Sequence, residues 1–477
     1  MTSTQTNQSL DPTLEAVLIP LVETAKRQRS SGDLALARTT LYRAISLCKE
    51  FGDSVREGTV LQVLAAVELD NSNFEAAFQM YTQAMELHLA ANRKDLAIPS
   101  ISGIGYIYQV QGQYDLALAN AEEALTVSRE CGIRRSEAAM LGNLGILHIE
   151  LKQLTLAEKY LVQALEIHRA EGFRDLEAQC LIDYAKVLTF TGKLTEAANA
   201  ADSAVTLARE LKMRNAEALA LSSKGLAMLQ ANRWEESAQC SERALEIFRE
   251  IGNRRFVIIT LSNLGLALQN ADRPHDSETA YREVIELCRA NDDHHSAGYA
   301  MMNLGVLLLS QDKNEEAERL LIEAVEIYRG AHNDAIMSVG LFDLALNYLS
   351  RVDWVQANDC VEQALALDNE WVSVSQNPLL FAIASACKAA LGDWKTSDLL
   401  LEKLYREGSH DNNEDSSAIP VAEGFRALFK GDDTVFEKVL QSIAVQIEQD
   451  KVSPFSELGL LYRLLQRSKN TYWIKSN

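Results

Sequence analysis

Small residues recur along this chain at a fixed interval of 40 positions. If Gly145 is taken as a marker, steps of 40 in both directions find a small residue each time, at Ala25, Ala65, Gly105, Gly145, Ala185, Gly225, Gly265, Gly305, Ala345 and Ser385. A second small series lies 12 residues after the markers, from Ala37 to Ser397, and a third, mostly alanine, begins at Ala44. The flanking positions vary freely, so the register belongs to the fold and not to an alanine-rich composition.

The repeated pattern predicts a pair of helices in each repeat. Small residues allow two helix backbones to approach closely. The bulky residues nine positions after the markers, such as Phe74 and Leu154, are expected to fill the gaps, and Trp234, Trp354 and Trp394 in this series are expected in the core. Polar turns such as VQGQYD and EGFRDLE interrupt each repeat twice. What remains is two antiparallel helices of roughly 16 residues, each about 24 Å long.

The register also predicts the domain organisation. We expect a disordered N-terminus at 1–10, ten repeats over 11–405, a mobile acidic loop at 406–420, and a degenerate repeat with a capping helix at 421–477. Two prolines interrupt the pattern. Pro274 is expected to begin a second helix, where its missing N–H costs nothing, whereas Pro99 predicts a first helix that begins late or kinks.

The pattern resembles the tetratricopeptide repeat, which has a small residue in its first helix and paired alanines in its second. The 40-residue period and the NLG phrases resemble the long-helix subtype of kinesin light chains, GoLoco-binding adaptors, and maltose-activator-like and Rap-like bacterial regulators. The resemblance covers residues 13–405. It implies an all-α, right-handed α-solenoid of about ten helix-turn-helix repeats with a C-terminal helical cap. It says little about function, because many unrelated systems use this scaffold.

Composition narrows the classes of partner and location. The net charge of −21, from 46 basic and 67 acidic residues, argues against nucleic acid and anionic lipid as partners. The polar N-terminus and the lack of any stretch of ~18 apolar residues predict a cytoplasmic protein without membrane insertion. Seven cysteines without a C-x-x-C pair are expected to be reduced thiols that fill the core. The oligomeric state is not determined by these features.

No sequence motif for catalysis, cofactor binding or metal binding is present. The chain has no P-loop, H-E-x-x-H, G-x-S-x-G or metal-spaced Cys/His cluster, so we expect neither an enzyme nor a cofactor or metal site. Gly103 and Gly105 form a fragment of a dinucleotide fingerprint, which we interpret as helix packing. His294 and His295 follow two aspartates in NDDHHS, which we interpret as a solvated loop and not a metal site.

A cationic series recurs at the junctions between repeats, at Lys94, Arg134, Arg174, Arg214 and Arg254. One interpretation is a basic ladder for an acidic or phosphorylated partner. The favoured one is structural: a long donor satisfies carbonyls at the end of the preceding helix, where a cation is also favoured by the helix dipole.

The candidate binding surface is a series of short polar residues two positions before the markers. We call it the polar ladder, and it consists of Asn143, Asp183, Ser223, Asn263, Asn303 and Asp343. The family resemblance implies that first helices line the concave groove, where further candidates are Tyr106, Glu150, Gln230 and Asn270.

The polar ladder has two interpretations. Packed helices lie about 8–10 Å apart, close to three residues of extended chain at ~3.3 Å each, and asparagine amides can donate to and accept from a peptide backbone. The other interpretation is that a solvated face simply prefers short polar residues. The first predicts a scaffold or adaptor that binds an extended, basic or neutral segment of a partner protein in the groove. An alternative function is an effector-responsive sensor that controls a partner in trans.

Overall fold

The computed structural model describes residues 12–367, 372–373, 377–407, 418–449, 459 and 461–466, which contain helices and no strand. The helices are α1 (Pro12–Ser30), α2 (Leu34–Glu50), α3 (Ser54–Asp70), α4 (Phe74–Ala90), α5 (Lys94–Val110), α6 (Tyr114–Glu130), α7 (Arg134–Glu150), α8 (Leu154–Glu171), α9 (Arg174–Phe190), α10 (Leu194–Glu210), α11 (Arg214–Gln230), α12 (Trp234–Glu250), α13 (Arg254–Asn270), α14 (Pro274–Arg289), α15 (His294–Ser310), α16 (Asn314–Gly330), α17 (Asp334–Ser350), α18 (Trp354–Leu365), α19 (Pro378–Ala390), α20 (Trp394–Glu407), α21 (Ala418–Lys430) and α22 (Asp433–Gln449). Among these described helices, none is long and apolar enough to cross a lipid bilayer.

The helices follow the 40-residue register of the sequence. First helices begin at Lys94, Arg134 and Arg174, and second helices begin at Tyr114 and Leu154. Most contain 17 residues, or about 25 Å at ~1.5 Å per residue. Within each unit, first helices pack on the second helices that follow them, as α3 does on α4, α7 on α8 and α15 on α16. The predicted all-α array of helix pairs is confirmed.

The small marker residues lie where helices of a pair touch. A Cβ atom added at Gly145 would lie 2.6 Å from Leu161 Cγ, and one at Gly305 would lie 2.7 Å from Leu321 Cγ. These contacting residues come 16 positions after the marker, in the middle of the second helix. The predicted bulky residues nine positions after the marker are instead the first residues of second helices, and the prediction that they fill the gap is wrong.

The tryptophans of that series are half-buried and not core residues. Trp354 packs edge-on against Phe425 and Phe429 of α21, with ring centroids 5.6 and 5.0 Å apart. Trp394 lies beneath the guanidinium of Arg426, also on α21. At a helix start the side chain is covered only by the elements beside it, so the Trp354 and Trp394 rings contact α21 instead of the centre of a helix pair.

The two prolines behave differently from each other. Pro274 begins α14, as predicted. Pro99 lies inside α5, which begins at Lys94 in register with the other first helices, so the predicted late start is wrong. Pro99 is exposed, and the carbonyl that loses its helical partner there can be hydrated.

By its internal contacts the chain divides into two compact units, residues 1–227 and 228–477. Helix α20 extends to Glu407 and α21 begins at Ala418, so the predicted loop at 406–420 is helical at both edges, and its middle lies outside the described residues. The predicted N-terminal segment 1–10 also lies outside them. In the second unit α21 packs on α19 and α22, and residues 461–466 are helical.

Candidate functional site

The polar ladder of the first unit differs in exposure from residue to residue. Asn143 on α7 is exposed, and its Nδ2 lies 3.4 Å from Ser102 Oγ on α5. Asp183 on α9 and Ser223 on α11 are only 7% and 6% exposed. Asp183 accepts a hydrogen bond of 3.1 Å from Lys186, one turn further along the same helix. In this unit Asn143 is therefore the ladder residue that a ligand can reach directly.

In the second unit each ladder residue is partly or fully covered. Asn263 and Asn303 are half-buried, and Asp343 is 5% exposed. Asn270, one of the additional candidates, donates its amide to Leu266 O at 2.8 Å within its own helix. Two further candidates, Glu150 in the first unit and Gln230 in the second, are exposed at the ends of their helices.

Two predicted residues of the first unit, Tyr106 and Asn143, come together at a small notch between α5, α6 and α7. The notch has a volume of about 50 Å³, and Gly105 and Met140 also line it. The Tyr106 ring stands beside it with 51% of its surface exposed. A Cβ added at Gly105 would lie 3.2 Å from Asn120 Cβ, so any larger residue there would narrow the notch. An amide, a phenol and an apolar floor together suit one small side chain of an extended peptide and its backbone.

A larger groove lies on the same unit across α1, α3 and α5. It has a volume of about 690 Å³ and is lined by Lys26, Arg29, Asp70, Tyr81 and Pro99 among others. Arg29 binds Asp70 through Nε at 2.5 Å and Nη2 at 3.0 Å. Sequence reasoning missed this groove because the residue types Arg29 and Pro99, which line it, do not recur at the equivalent positions of the other repeats. The sequence feature that could have indicated the groove is the pair of basic residues, Lys26 and Arg29, in a first helix.

The glycines of the suspected dinucleotide fingerprint have packing roles. A Cβ at Gly103 would lie 2.6 Å from the Tyr81 ring, so glycine is required for the ring to cross α5. Gly105 is buried beside α6. The interpretation of this fragment as helix packing agrees with the structure.

Four of the five members of the cationic series, Lys94, Arg134, Arg174 and Arg214, pair with carboxylates. Lys94 Nζ lies 3.1 Å from Glu130. Arg134 Nη1 donates to Glu137 at 2.5 Å, and Arg214 Nη1 donates to Glu217 at 2.9 Å. Each of these four cations is the first residue of a first helix, where it meets acidic side chains. Ion pairs therefore take the place of the expected carbonyl contacts at these four helices.

The histidine pair of NDDHHS begins a helix and does not lie in a loop. Asp293 caps α15, and its side chain accepts a 3.0 Å hydrogen bond from Ser296 N. The His295 ring packs edge-on against Tyr328, with centroids 5.4 Å apart. Within the described part of the chain, no three His, Cys, Asp or Glu side chains converge in a way that could hold a metal ion.

Five of the seven cysteines are buried, whereas Cys131 is exposed and Cys240 half-buried. Burial raises the pKa of Cys48 and Cys288 to about 11, and that of Cys360 and Cys387 to about 12. A thiol with such a pKa remains protonated at neutral pH and is unreactive. The expected core-filling role holds for the buried cysteines and not for Cys131.

Comparison with known proteins identifies the repeat. A family model described as a tetratricopeptide repeat matches residues 97–170, 136–210, 216–290, 256–330 and 296–370. A search of curated proteins finds no match.

Solved structures share the fold at low sequence identity. One is a Signal Transduction ATPase with Numerous Domains protein with a tetratricopeptide repeat sensor from Pyrococcus horikoshii, at 16% identity and a TM-score of 0.56 over 82% of this chain and 56% of that one. Another is the apo form of the quorum sensor NprR from B. thuringiensis, at 15% identity and a TM-score of 0.52 over 75% of this chain and all of that one. At these identities the similarity is one of fold alone.

Proposed function

The chain belongs to the tetratricopeptide repeat family, and we propose that this protein-interaction adaptor or regulator binds an extended peptide segment of a partner protein along its first helices. The observation that carries the proposal is the notch of the first unit, where the exposed Tyr106 ring and the Asn143 amide meet. Arrays of this family are in general non-catalytic scaffolds, and we assign no reaction to the chain.

The notch supplies the two kinds of contact that an extended peptide needs. The Asn143 amide can donate to a peptide carbonyl and accept from a peptide N–H. The apolar floor between Met140 and Leu147 can receive one small side chain, with the Tyr106 ring covering it. Main-chain hydrogen bonds then supply affinity, and the pocket for a side chain supplies specificity.

The notch and the larger groove share helix α5 in the first unit, where Ser102 lines the notch and Pro99 lines the groove. A peptide anchored at Asn143 can therefore continue toward α3 and α1 without leaving the surface of first helices. Such a path would use the approximately 690 Å³ of open volume beside Asp70. The net charge of −21 favours a basic or neutral segment, because it repels acidic ones at long range.

The proposal is tested by selecting binding peptides from a random library displayed on phage and then measuring their affinities by fluorescence anisotropy. Asn143→Ala and Tyr106→Ala should each lower the affinity for the selected peptides by about tenfold. Each substitution removes a hydrogen-bonding or aromatic contact of roughly 1–2 kcal/mol. Both side chains are exposed, so the thermal midpoint should stay nearly unchanged.

Matched controls come from the second helices. Asn199→Ala on α10 and Tyr42→Ala on α2 remove the same side chains at exposed positions and should leave peptide affinity unchanged. Peptides that bind both notch variants as tightly as the wild type would refute the assignment of the binding surface.

A further inference from the structure

An ion pair between a half-exposed arginine and a largely covered glutamate recurs at the start of successive first helices and is missing at α13. In α7, α9 and α11 the fourth residue is a glutamate, at Glu137, Glu177 and Glu217. Each accepts from an arginine of the preceding second helix: Arg129 at 2.9 Å, Arg169 at 2.8 Å and Arg209 at 2.7 Å. In α13 the equivalent residue is Val257, which is 8% exposed. The carboxylate of this arrangement is missing from α13.

The arginines at this junction are nevertheless retained. Arg249 is the equivalent of Arg209 and binds Glu283 of α14 instead. Arg254, the equivalent of Arg174 and Arg214, begins α13.

A second acid that serves this series is also absent at α13. Lys94, Arg134 and Arg174 each lie within ion-pair distance of a glutamate at the end of the next second helix: Glu130, Glu171 and Glu210. These glutamates lie 36 or 37 residues after the cation, and for Arg254 those two positions hold Ala290 and Asn291. Within the described part of the chain, no carboxylate lies within ion-pair distance of Arg254. The first turn of α13 contains no acidic residue, although that end of a helix favours negative charge.

The next two first helices, α15 and α17, have neither an arginine as first residue nor a glutamate as fourth residue. Their fourth residues are Ala297 and Met337, and their first residues are His294 and Asp334. Among the described first helices that belong to this register, α13 therefore combines a retained arginine with the loss of both of its acids.

A cavity lies at the same place, between the last turns of α12 and α14 and the start of α13. It has a volume of about 250 Å³, and Arg249, Arg254 and Glu283 line it together with the apolar residues Val257, Ile258 and Leu287. Val257 and Ile258 are each 8% exposed, and Phe248, which also lines the cavity, is fully buried. The Phe248 ring is held in place by stacking on Phe256, with centroids 5.2 Å apart.

We propose that this cavity binds a small carboxylic acid with an apolar body, whose carboxylate pairs with Arg254 in place of the missing glutamate. The apolar part lies on Val257, Ile258 and Leu287. The site is separate in its residues from the peptide surface proposed above, and it belongs wholly to the second unit.

Charge and size define the class of ligand. Two arginines and one glutamate give the lining one net positive charge, because Arg249 is neutralised by Glu283. A monovalent carboxylate balances that charge, whereas a divalent phosphate would add repulsion from Glu283. A volume of about 250 Å³ lies between a cavity that holds benzene, at ~150 Å³, and the pockets of drug-sized ligands. The ligand is therefore a compact acid of about ten non-hydrogen atoms.

The probe is octanoate, titrated into the full chain by isothermal calorimetry, with 1-octanol as a neutral analogue and inorganic phosphate as a competing anion. We expect octanoate to bind in the millimolar range or tighter, 1-octanol to bind at least about tenfold more weakly, and phosphate not to compete. Failure of octanoate to bind, equal binding of 1-octanol, or competition by phosphate would each overturn the proposal.

Two variants test the location of the site. Arg254→Ala should weaken octanoate binding by about tenfold or more, since it removes a charge-assisted hydrogen bond. Val257→Glu restores the carboxylate that α7, α9 and α11 carry and should abolish binding, because the chain's own acid then pairs with the arginines. Arg174→Ala is the matched control, because Glu177 and Glu210 are present at its junction. This variant should bind octanoate with the same affinity as the wild type. Octanoate binding that survives both Arg254→Ala and Val257→Glu, with both variants folded by circular dichroism, would place the ligand elsewhere.

Discussion

At the residue scale, most turns between the described helices contain one residue in the left-handed region. Gly112 has a φ of 73°, which allows Gln113 N to bond Tyr108 O at 2.9 Å and end α5. The equivalent positions hold Gly192 and Asn232, residue types that tolerate this conformation. At Val352 the same turn is made by a β-branched residue with a φ of 61°. That residue carries local strain, because its branched Cβ crowds the backbone.

Replacing Val352 should therefore stabilise the protein. Val352→Asn is expected to raise the free energy of unfolding by about 1 kcal/mol. The left-handed conformation costs most residue types about 1–2 kcal/mol, and it costs glycine and asparagine less. The hydrogen bond from Asp353 N to Tyr348 O at 3.0 Å is unaffected. Urea denaturation followed by circular dichroism measures the change. Asn232→Val is the reciprocal variant and should destabilise by a similar amount; a shift of the same sign in both would contradict the argument.

At the element scale, a missing side chain sets the distance between paired helices. Glycine at position 145 lets Leu161 of α8 approach the backbone of α7, and Leu161 is fully buried there. Gly142 lies on the same helix, less than one turn away, with nothing within 4 Å of where its Cβ would be. The two glycines thus share a helix and differ in whether a partner helix touches them.

Alanine substitutions at these two glycines should have opposite effects. Gly145→Ala is expected to destabilise by about 1–2 kcal/mol, because overpacking costs roughly 1–3 kcal/mol and the gain in helix propensity returns up to about 1 kcal/mol. Gly142→Ala should stabilise by about 0.5–1 kcal/mol through propensity alone. Both are measured by urea denaturation. If Gly145→Ala were as stable as Gly142→Ala, close approach of the helices would not be what fixes that position.

At the scale of the whole molecule, the described helices contact mainly their neighbours in sequence. Helix α7 packs on α6 and α8 and makes smaller contacts with α5 and α9. In such an array stability is close to a sum of repeat terms and nearest-neighbour interfaces. A local change is therefore expected to loosen neighbouring helices and leave distant ones unchanged.

Hydrogen–deuterium exchange of the Gly145→Ala variant can test this locality. Exchange should rise in α6, α7 and α8, and to a smaller degree in α5 and α9, because these helices share interfaces with the altered one. Peptides from α15 and α16 should exchange as in the wild type. Gly142→Ala is the control and should raise exchange nowhere. Equal increases along the entire chain would show global cooperativity instead of local coupling.

Much of the fold could be predicted because the relevant interactions are periodic. The series through Gly145 and Ala157 fixed the helix pairs, and the start of α14 at Pro274 followed from the chemistry of proline. The packing partner of Gly145 was predicted wrongly, since the sequence shows that a gap exists and not which side chain fills it. For the candidate site, Tyr106 and Asn143 were named in advance, but the burial of Asp183 and Asp343 was not, because exposure depends on the neighbouring helices.

The sequence by itself determined the repeat length, the pairing of helices in each repeat, the family and the absence of recognisable catalytic motifs, because each depends on residue types at fixed spacing along one chain. The tertiary structure decided which polar residues remain accessible, where the groove beside Arg29 lies, and that Arg254 lacks the acids that pair with its equivalents. Those properties depend on distances between side chains about 30 to 40 positions apart. Such distances are fixed only when helices pack, and no local pattern of residues specifies them.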